Sequence, residues 1–119
     1  METKEIATRL ANLCRQGEFE TAQKELYADD IVSIEPQATP DFEKETKGKE
    51  KVLAKIKKFM DKVEAMHGNE VSEPLVAGNA IAFTLAMDIT MKGQKRMMMP
   101  ELCVYEVRDG KVISEQFFV

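Results

Sequence analysis

Apolar residues recur at helical spacing in the first half of the chain and alternate with polar ones in the second. Ile6, Leu10, Leu13 and Cys14 share one helical face over residues 3–16, with Thr3 placed as the N-cap and Gly17 as the stop. Phe19, Ala22 and Leu26 extend that face on a second short helix, about 18–28. Asp29-Asp30 breaks it, and residues 31–35 read as a strand halted by Pro36. A long third helix is predicted over 49–66, burying Val52, Ile56, Phe59, Val63 and Met66, with His67-Gly68-Asn69 at its end. Between them, residues 36–48 hold two prolines and little apolar content, which predicts a long loop acting as a lid or mobile rim.

From residue 71 the pattern is strand throughout. Residues 71–77 carry Pro74, which suits an edge or a bulge. Gly78-Asn79 turns into a strand over 80–91, with Ile81, Phe83, Leu85, Met87 and Ile89 on one face and Ala82, Thr84, Ala86, Asp88 and Thr90 on the other. Lys92-Gly93-Gln94 leads to a last hairpin, 97–107 and 112–119, in which Pro100 predicts a bulge. One strand before the long helix and four after it describe an α+β domain, 1–119. Its curved antiparallel sheet wraps around the long helix and the two shorter N-terminal ones.

The Asp109-Gly110 turn decides which carboxylates share a face, and it admits two registers. A two-residue turn pairs Arg108 with Lys111 and Val104 with Glu115, so Glu101, Cys103 and Tyr105 point away from Glu115. A three-residue loop with Gly110 left-handed pairs Val107 with Lys111 and Cys103 with Glu115. Glu101, Cys103, Tyr105, Ile113, Glu115 and Phe117 then share one face. The second register is preferred because glycine suits that left-handed position. The other face, with Leu102, Val104 and Phe118, is also apolar and is expected to meet a second sheet or a partner subunit.

Composition narrows the function classes. With 119 residues, 44% hydrophobic and 32% charged, the chain suits one globular domain with a modest core. A net charge of −4 and the absence of a basic stripe argue against nucleic acid as a partner. Cys14 and Cys103 stand far apart in apolar settings and read as reduced core thiols, with no metal-ligand spacing. The charged N-terminus lacks a signal-peptide pattern and no apolar run is long enough to span a membrane, so a cytoplasmic location is expected. Gly-rich phosphate loops and nucleophile–His pairs are also missing.

The residues Glu25 to Pro36, Gly48-Lys49-Glu50, Glu64 to His67, Asp88-Ile89-Thr90, Met99-Pro100-Glu101, Val104 to Val112 and Glu115 to Phe118, in this order of elements, carry a resemblance that covers nearly the whole chain. The chain resembles the SnoaL-like branch of the nuclear transport factor 2-like superfamily, and is similar to its small members of unknown function. The resemblance implies a cone-shaped domain with a pocket between sheet and helices, often dimeric through the outer sheet face. The superfamily includes polyketide cyclases, ketosteroid isomerases and dehydratases as well as non-catalytic binding domains. The resemblance does not by itself place the catalytic aspartate of the cyclases or the acid pair of the isomerases on this sequence.

The candidate site follows from the preferred register. Glu101 and Glu115 would lie among Met, Phe, Cys and Tyr, where burial raises a carboxyl pKa and suits it to proton transfer. The competing reading is that each caps a backbone amide or a Tyr hydroxyl, or lies at a wet rim. Tyr105 would orient a ligand carbonyl or cap a carboxylate. Phe83, Leu85, Met87, Cys103 and Phe117 would form apolar walls, while Glu35 and the sole histidine, His67, would stand at the mouth. His67 at a helix C-terminus also fits a purely structural role, as Asp88 fits an exposed one. The expectation is a homodimeric domain binding a small apolar or carbonyl-bearing molecule. Any reaction would be cofactor-free cyclisation, isomerisation or dehydration. The alternative is a non-catalytic ligand-binding or dimerisation module.

Overall fold

The computed structural model describes residues 1–119. Two helices, α1 (Thr3–Arg15) and α2 (Phe19–Leu26), lead into β1 (Tyr27–Ile34). Then follow β2 (Glu45–Lys47), α3 (Lys49–Asp61), β3 (Val63–Val71), β4 (Leu75–Ala77), β5 (Ala80–Met91), β6 (Arg96–Arg108) and β7 (Lys111–Phe118). The strands form one sheet in the order β2-β1-β7-β6-β5-β3, with β4 beside the N-terminal end of β5. The class is the predicted α+β. One pair differs from the antiparallel rest, because β1 runs parallel to β7.

The stripes of α1 and α2 are buried as the pattern predicts, whereas on α3 Val52 alone is fully buried and Ile56 and Phe59 only partly. Ile6, Leu10 and Leu26 are sealed against Ile81, Ile89 and Cys103 from the inward face of β5 and β6. Gly17, at φ +72°, closes α1. The N-cap is Glu2 rather than Thr3, and the Glu2 amide donates to the Glu5 carboxylate at 3.1 Å.

The third helix is shorter than predicted. It stops at Asp61, and residues 63–71 pair with β5 from Val63–Met91 to Val71–Leu85. Val63 and Met66 fit the helical stripe, but the free edge of β5 needs hydrogen-bond partners, and the ladder satisfies them. Five strands therefore follow α3. His67 is not at a helix end. It occupies a register shift of β3 between Met66 and Gly68, exposed, with Nε2 2.9 Å from Thr90 Oγ1.

The last hairpin has the two-residue turn and, beyond a bulge, a register that differs from both of those expected. Asp109 (φ +52°) and Gly110 (φ +74°) make a two-residue turn, pairing Arg108 with Lys111 and Val107 with Val112. Ile113 is then an extra residue, so that Glu106 meets Ser114, Tyr105 meets Glu115 and Cys103 meets Phe117. The expected Cys103–Glu115 pairing is thus displaced by two residues. Because side chains alternate, a shift of two leaves Glu101, Cys103, Tyr105, Glu115 and Phe117 on one face. Ile113 leaves that set, and Val112 takes a buried place in the core.

Candidate functional site

A cavity of about 350 Å³ lies between the inward face of β5–β7, helices α2 and α3, and the segment after β1. Leu85, Met87 and Phe117 from the sheet and Ile56 and Phe59 from α3 give it apolar walls. Phe42 closes one side. Its segment, expected to be a mobile rim, is fastened to α3. Asp41 pairs with Lys62 at 2.6 Å, and its carbonyl accepts from Lys58 at 2.6 Å.

Three carboxyl side chains and one ammonium line this space: Glu35, Glu101, Glu115 and Lys55. Glu115 is 2% exposed, and both its oxygens are taken. Oε1 accepts from the Tyr27 hydroxyl, and Oε2 accepts from Ser33 Oγ at 2.6 Å. Lys55 Nζ donates to Ser33 Oγ at 2.5 Å and to Glu35 Oε1 at 2.9 Å. An ammonium offers no acceptor, so the single Ser33 proton must point at Glu115. Burial raises the Glu115 pKa above the ordinary glutamate value, and the hydrogen bonds from Ser33 and Tyr27 pull it back. The Tyr27 phenol is pushed well up by burial and by Glu115, so it keeps its proton and donates.

This network depends on an irregular β1. Tyr27 and Ser33 are six residues apart, about 20 Å along a regular strand. In the parallel pairing with β7, however, Tyr27 sits beside Val112 and Ser33 beside Glu115, and the chain between them bulges outward. Asp29 and Asp30 lie exposed on that bulge, and Asp30 pairs with Arg108 at 3.0 Å. The bulge lets two hydroxyls converge on one carboxylate.

Glu101 is held differently. No cation bonds it, and its side-chain partner is the Cys103 thiol at 3.7 Å. Burial, then the charge of Glu35, raises its pKa to about 7. Tyr105 is on the same face of the strand, four residues on with Cys103 between; its ring is 5.3 Å from that of Phe83, and burial pushes its phenol well up. The cavity thus separates a carboxylate with filled acceptor sites from one poised to gain or lose a proton near neutral pH. Cys14 also lines the space, but burial raises its thiol to about 12, which leaves it unreactive.

Of the residues singled out from sequence, Glu35, Leu85, Met87, Glu101, Tyr105, Glu115 and Phe117 border the cavity. Phe83 and Cys103 do not line it; both are packed in the core behind Tyr105 and Glu101. His67 is also outside it, on the exposed side of β3. Asp88 is paired with Arg96 at 2.7 Å on the outer sheet face. Sequence reasoning missed Tyr27, Ser33 and Lys55. Tyr27 was absorbed into the second helix and Lys55 into the charged outside of the third. The available signals were that Ser33 shares a strand face with Ile31 and Glu35, and that Lys55 is three residues from Val52 and four from Phe59 on the buried stripe.

This architecture defines an α+β fold of the nuclear transport factor 2-like, cystatin-like class. A family model for the SnoaL-like domain matches residues 1–119, and the chain belongs to that family. Among solved structures it is similar to a candidate SnoaL-like polyketide cyclase from Mesorhizobium loti, whose name also carries the label carbohydrate phosphatase. The two share 32% identity over 100% of both chains, with a TM-score of 0.91. A Xanthomonas campestris protein of unknown function with a cystatin-like fold shares 18% identity over 99% of this chain and 90% of its own, TM-score 0.83. A ketosteroid isomerase-like fold from Catenulispora acidiphila, solved with trimethylamine, shares 16% identity over 97% and 85%, TM-score 0.75. The last two likenesses show the fold alone. No curated protein matches the sequence. No helix is long and apolar enough to cross a membrane.

Proposed function

We propose that the cavity binds a small, largely apolar, carbonyl-bearing molecule, and that Glu101 exchanges a proton with it in a cofactor-free isomerisation, cyclisation or dehydration. The observation that carries this reading is Glu101 itself. It is a desolvated carboxyl beside open space, without a cation, with a pKa of about 7. A general base or acid works best when its pKa lies near the working pH. Tyr105, which lines the same space, is assigned as the hydrogen-bond donor for a developing oxyanion. Glu115 plays a positioning part, since its acceptor sites are filled. One observation favours a second reading, a binding module without turnover: Lys55 joins Glu35 directly and Glu115 through Ser33, so two of the three acids are compensated.

The test is Glu101→Gln against a carbonyl compound found by ligand screening. Turnover should fall at least a hundredfold while the fold melts as a single transition. If Glu101 is the base, kcat/KM in the wild type should climb as pH rises through about 7, and that limb should vanish in the variant. Unchanged rate and affinity in Glu101→Gln would remove this residue from the site. Loss of affinity with no turnover in either protein would favour the binding module.

The protein is further proposed to form a homodimer through the outer face of the sheet. Leu102 and Phe118 are cross-strand neighbours there and are 40% and 46% exposed, with Met98 farther along β6. An apolar patch of this kind is a common mark of an interface.

A further inference from the structure

Lys55 is the only cation lining a cavity that three carboxyl groups share. It stands on α3 three residues after the buried Val52 and four before Phe59 of the cavity wall, so the inner side of that helix carries it. Its side chain is 13% exposed, sunk in the wall without being sealed off. An ammonium has three N–H donors. One goes to Ser33 Oγ, which is fully buried and does not border the cavity. A second goes to Glu35 Oε1, which does border it. No protein atom accepts the third. The Phe117 ring, another cavity wall, lies 5.8 Å from the nitrogen. The ammonium is thus flanked by two walls of the open space and has one donor left.

Proton transfer to Glu101 creates a use for that donor. When its carboxylate takes a proton from the carbon beside a carbonyl, the C–H electron pair becomes the C=C bond of an enolate and the carbonyl pair moves onto oxygen. The negative charge leaves Glu101 and arrives on the ligand, and the total charge of the cavity is unchanged. In a site screened from water, a charged donor aimed at that oxygen is worth far more than in solution. Tyr105 offers a neutral hydroxyl. Lys55 offers a full charge, close enough to Glu101 to draw its pKa down against the rise that burial causes. A carboxylate ligand would add a fourth acid to this space, whereas a neutral ketone adds no charge until Glu101 gives one up.

We propose that Lys55 is a further catalytic residue of this cavity, whose free N–H holds the carbonyl oxygen of a neutral ketone and stabilises the enolate formed when Glu101 removes the adjacent proton. This rests on the reading of Glu101 as the proton-exchanging group. Glu35 shares the ammonium and so tempers its effect.

The test follows deuterium uptake from D2O at the α-carbon of 2-tetralone by NMR, in wild type, Lys55→Met, Glu35→Gln, the double variant Lys55→Met/Glu35→Gln, and Glu101→Gln. Each is read at saturating ketone on its own high-pH plateau, because removing either charge also moves the Glu101 titration. Lys55→Met should lower the saturated rate about a hundredfold, the worth of one oxyanion donor, with Kd nearly unchanged. The two partners of the ion pair should act in opposite directions. In Glu35→Gln the amide oxygen still accepts from Lys55, the ammonium is less neutralised, and the rate should rise. The double variant leaves no unpaired charge and should be as slow as Lys55→Met.

A saturated rate that stays at the wild-type level in both variants lacking Lys55 would overturn the assignment. So would equal losses in Lys55→Met and Glu35→Gln, which would make the pair a structural strut, or a loss seen in Kd alone. If Glu101→Gln still abolishes uptake in those cases, the base stands and Lys55 alone is excluded. If the wild type accelerates uptake into none of 2-tetralone, 2-indanone and 1-tetralone, Glu101 is no base toward ketones and the part of Lys55 falls with it.

Discussion

Glu101 and Glu115 share a cavity and a residue type, yet opposite consequences follow from neutralising them. Glu101 titrates at about 7 in the folded chain against an ordinary value of 4.5. Between those values the folded state holds a proton that the unfolded state has released. The stability it confers is complete below about 4.5, falls as pH rises through about 7, and is level above that. Charging Glu101 in place costs on the order of 3 kcal/mol. Glu101→Gln should therefore melt higher than wild type at pH 8 and converge with it near pH 4.5, as read by calorimetry across that range. Glu115→Gln should destabilise instead, because the hydrogen bonds it loses outweigh the relief of a carboxyl whose pKa burial also raises. Its amide would present a donor where Ser33 and Tyr27 already donate. It should lower stability by about 2–3 kcal/mol at neutral pH in denaturant titrations. Alternation along β6 made Glu101 and Tyr105 legible as one face. Tyr27, Ser33 and Lys55 were not legible, because no local periodicity links a helix end, a strand and a second helix to one carboxylate.

The last hairpin and β1 show what a pattern of side chains can and cannot say about an element. Asp-Gly correctly marks the turn, and the inward face came out as preferred. The register did not, because the two-residue turn is followed by one extra residue, Ile113. Turn preference and alternation each constrain position only modulo such insertions, since a bulge satisfies both at the cost of one unpaired residue. The turn itself makes a sharp prediction. Both of its residues are left-handed, a region that glycine enters freely, that Asp and Asn tolerate, and in which other side chains are strained. Gly110→Ala should lower the unfolding free energy by about 1 kcal/mol. Its new methyl would also crowd Met1 at 3.3 Å. Asp109→Asn, equally suited to that conformation, should leave stability nearly unchanged. Urea unfolding of both variants would check this. Residues 63–66 were misread for a related reason. Their spacing suits a helix, but β5 has an edge to be paired, and the ladder outweighs a local stripe.

At the scale of the molecule, the sheet has one face turned to the helices and cavity and one face left to the outside. The proposed homodimer would bury that outer face, and it makes a direct prediction. Sedimentation at micromolar concentrations should find a dimer, and Leu102→Glu should shift it to monomer while the far-ultraviolet spectrum stays the same. A charge placed between Phe118 and Met98 would be stranded in an apolar interface. A wild type that sediments as a monomer throughout would end the proposal. The helical side of the molecule is better determined. The stripe of α1 was legible from spacing alone and is buried in the core, where Phe83 and Cys103, expected as cavity walls, are packed as well.

By itself the sequence determined the α+β class, the turns at Gly17 and Asp109-Gly110, the buried stripes of the two N-terminal helices, and the placing of Glu101 and Tyr105 on one strand face. Each of these depends on neighbours within about one turn of helix or two residues of strand. Only the tertiary structure decided that residues 63–71 complete the sheet, that His67 lies away from the cavity, and that Glu115 is tied to Tyr27 and Ser33 while Glu101 is left untied. Those outcomes depend on edges, bulges and desolvation. They are properties of surfaces brought together from distant parts of the chain, and they exist only once the sheet has closed over its helices.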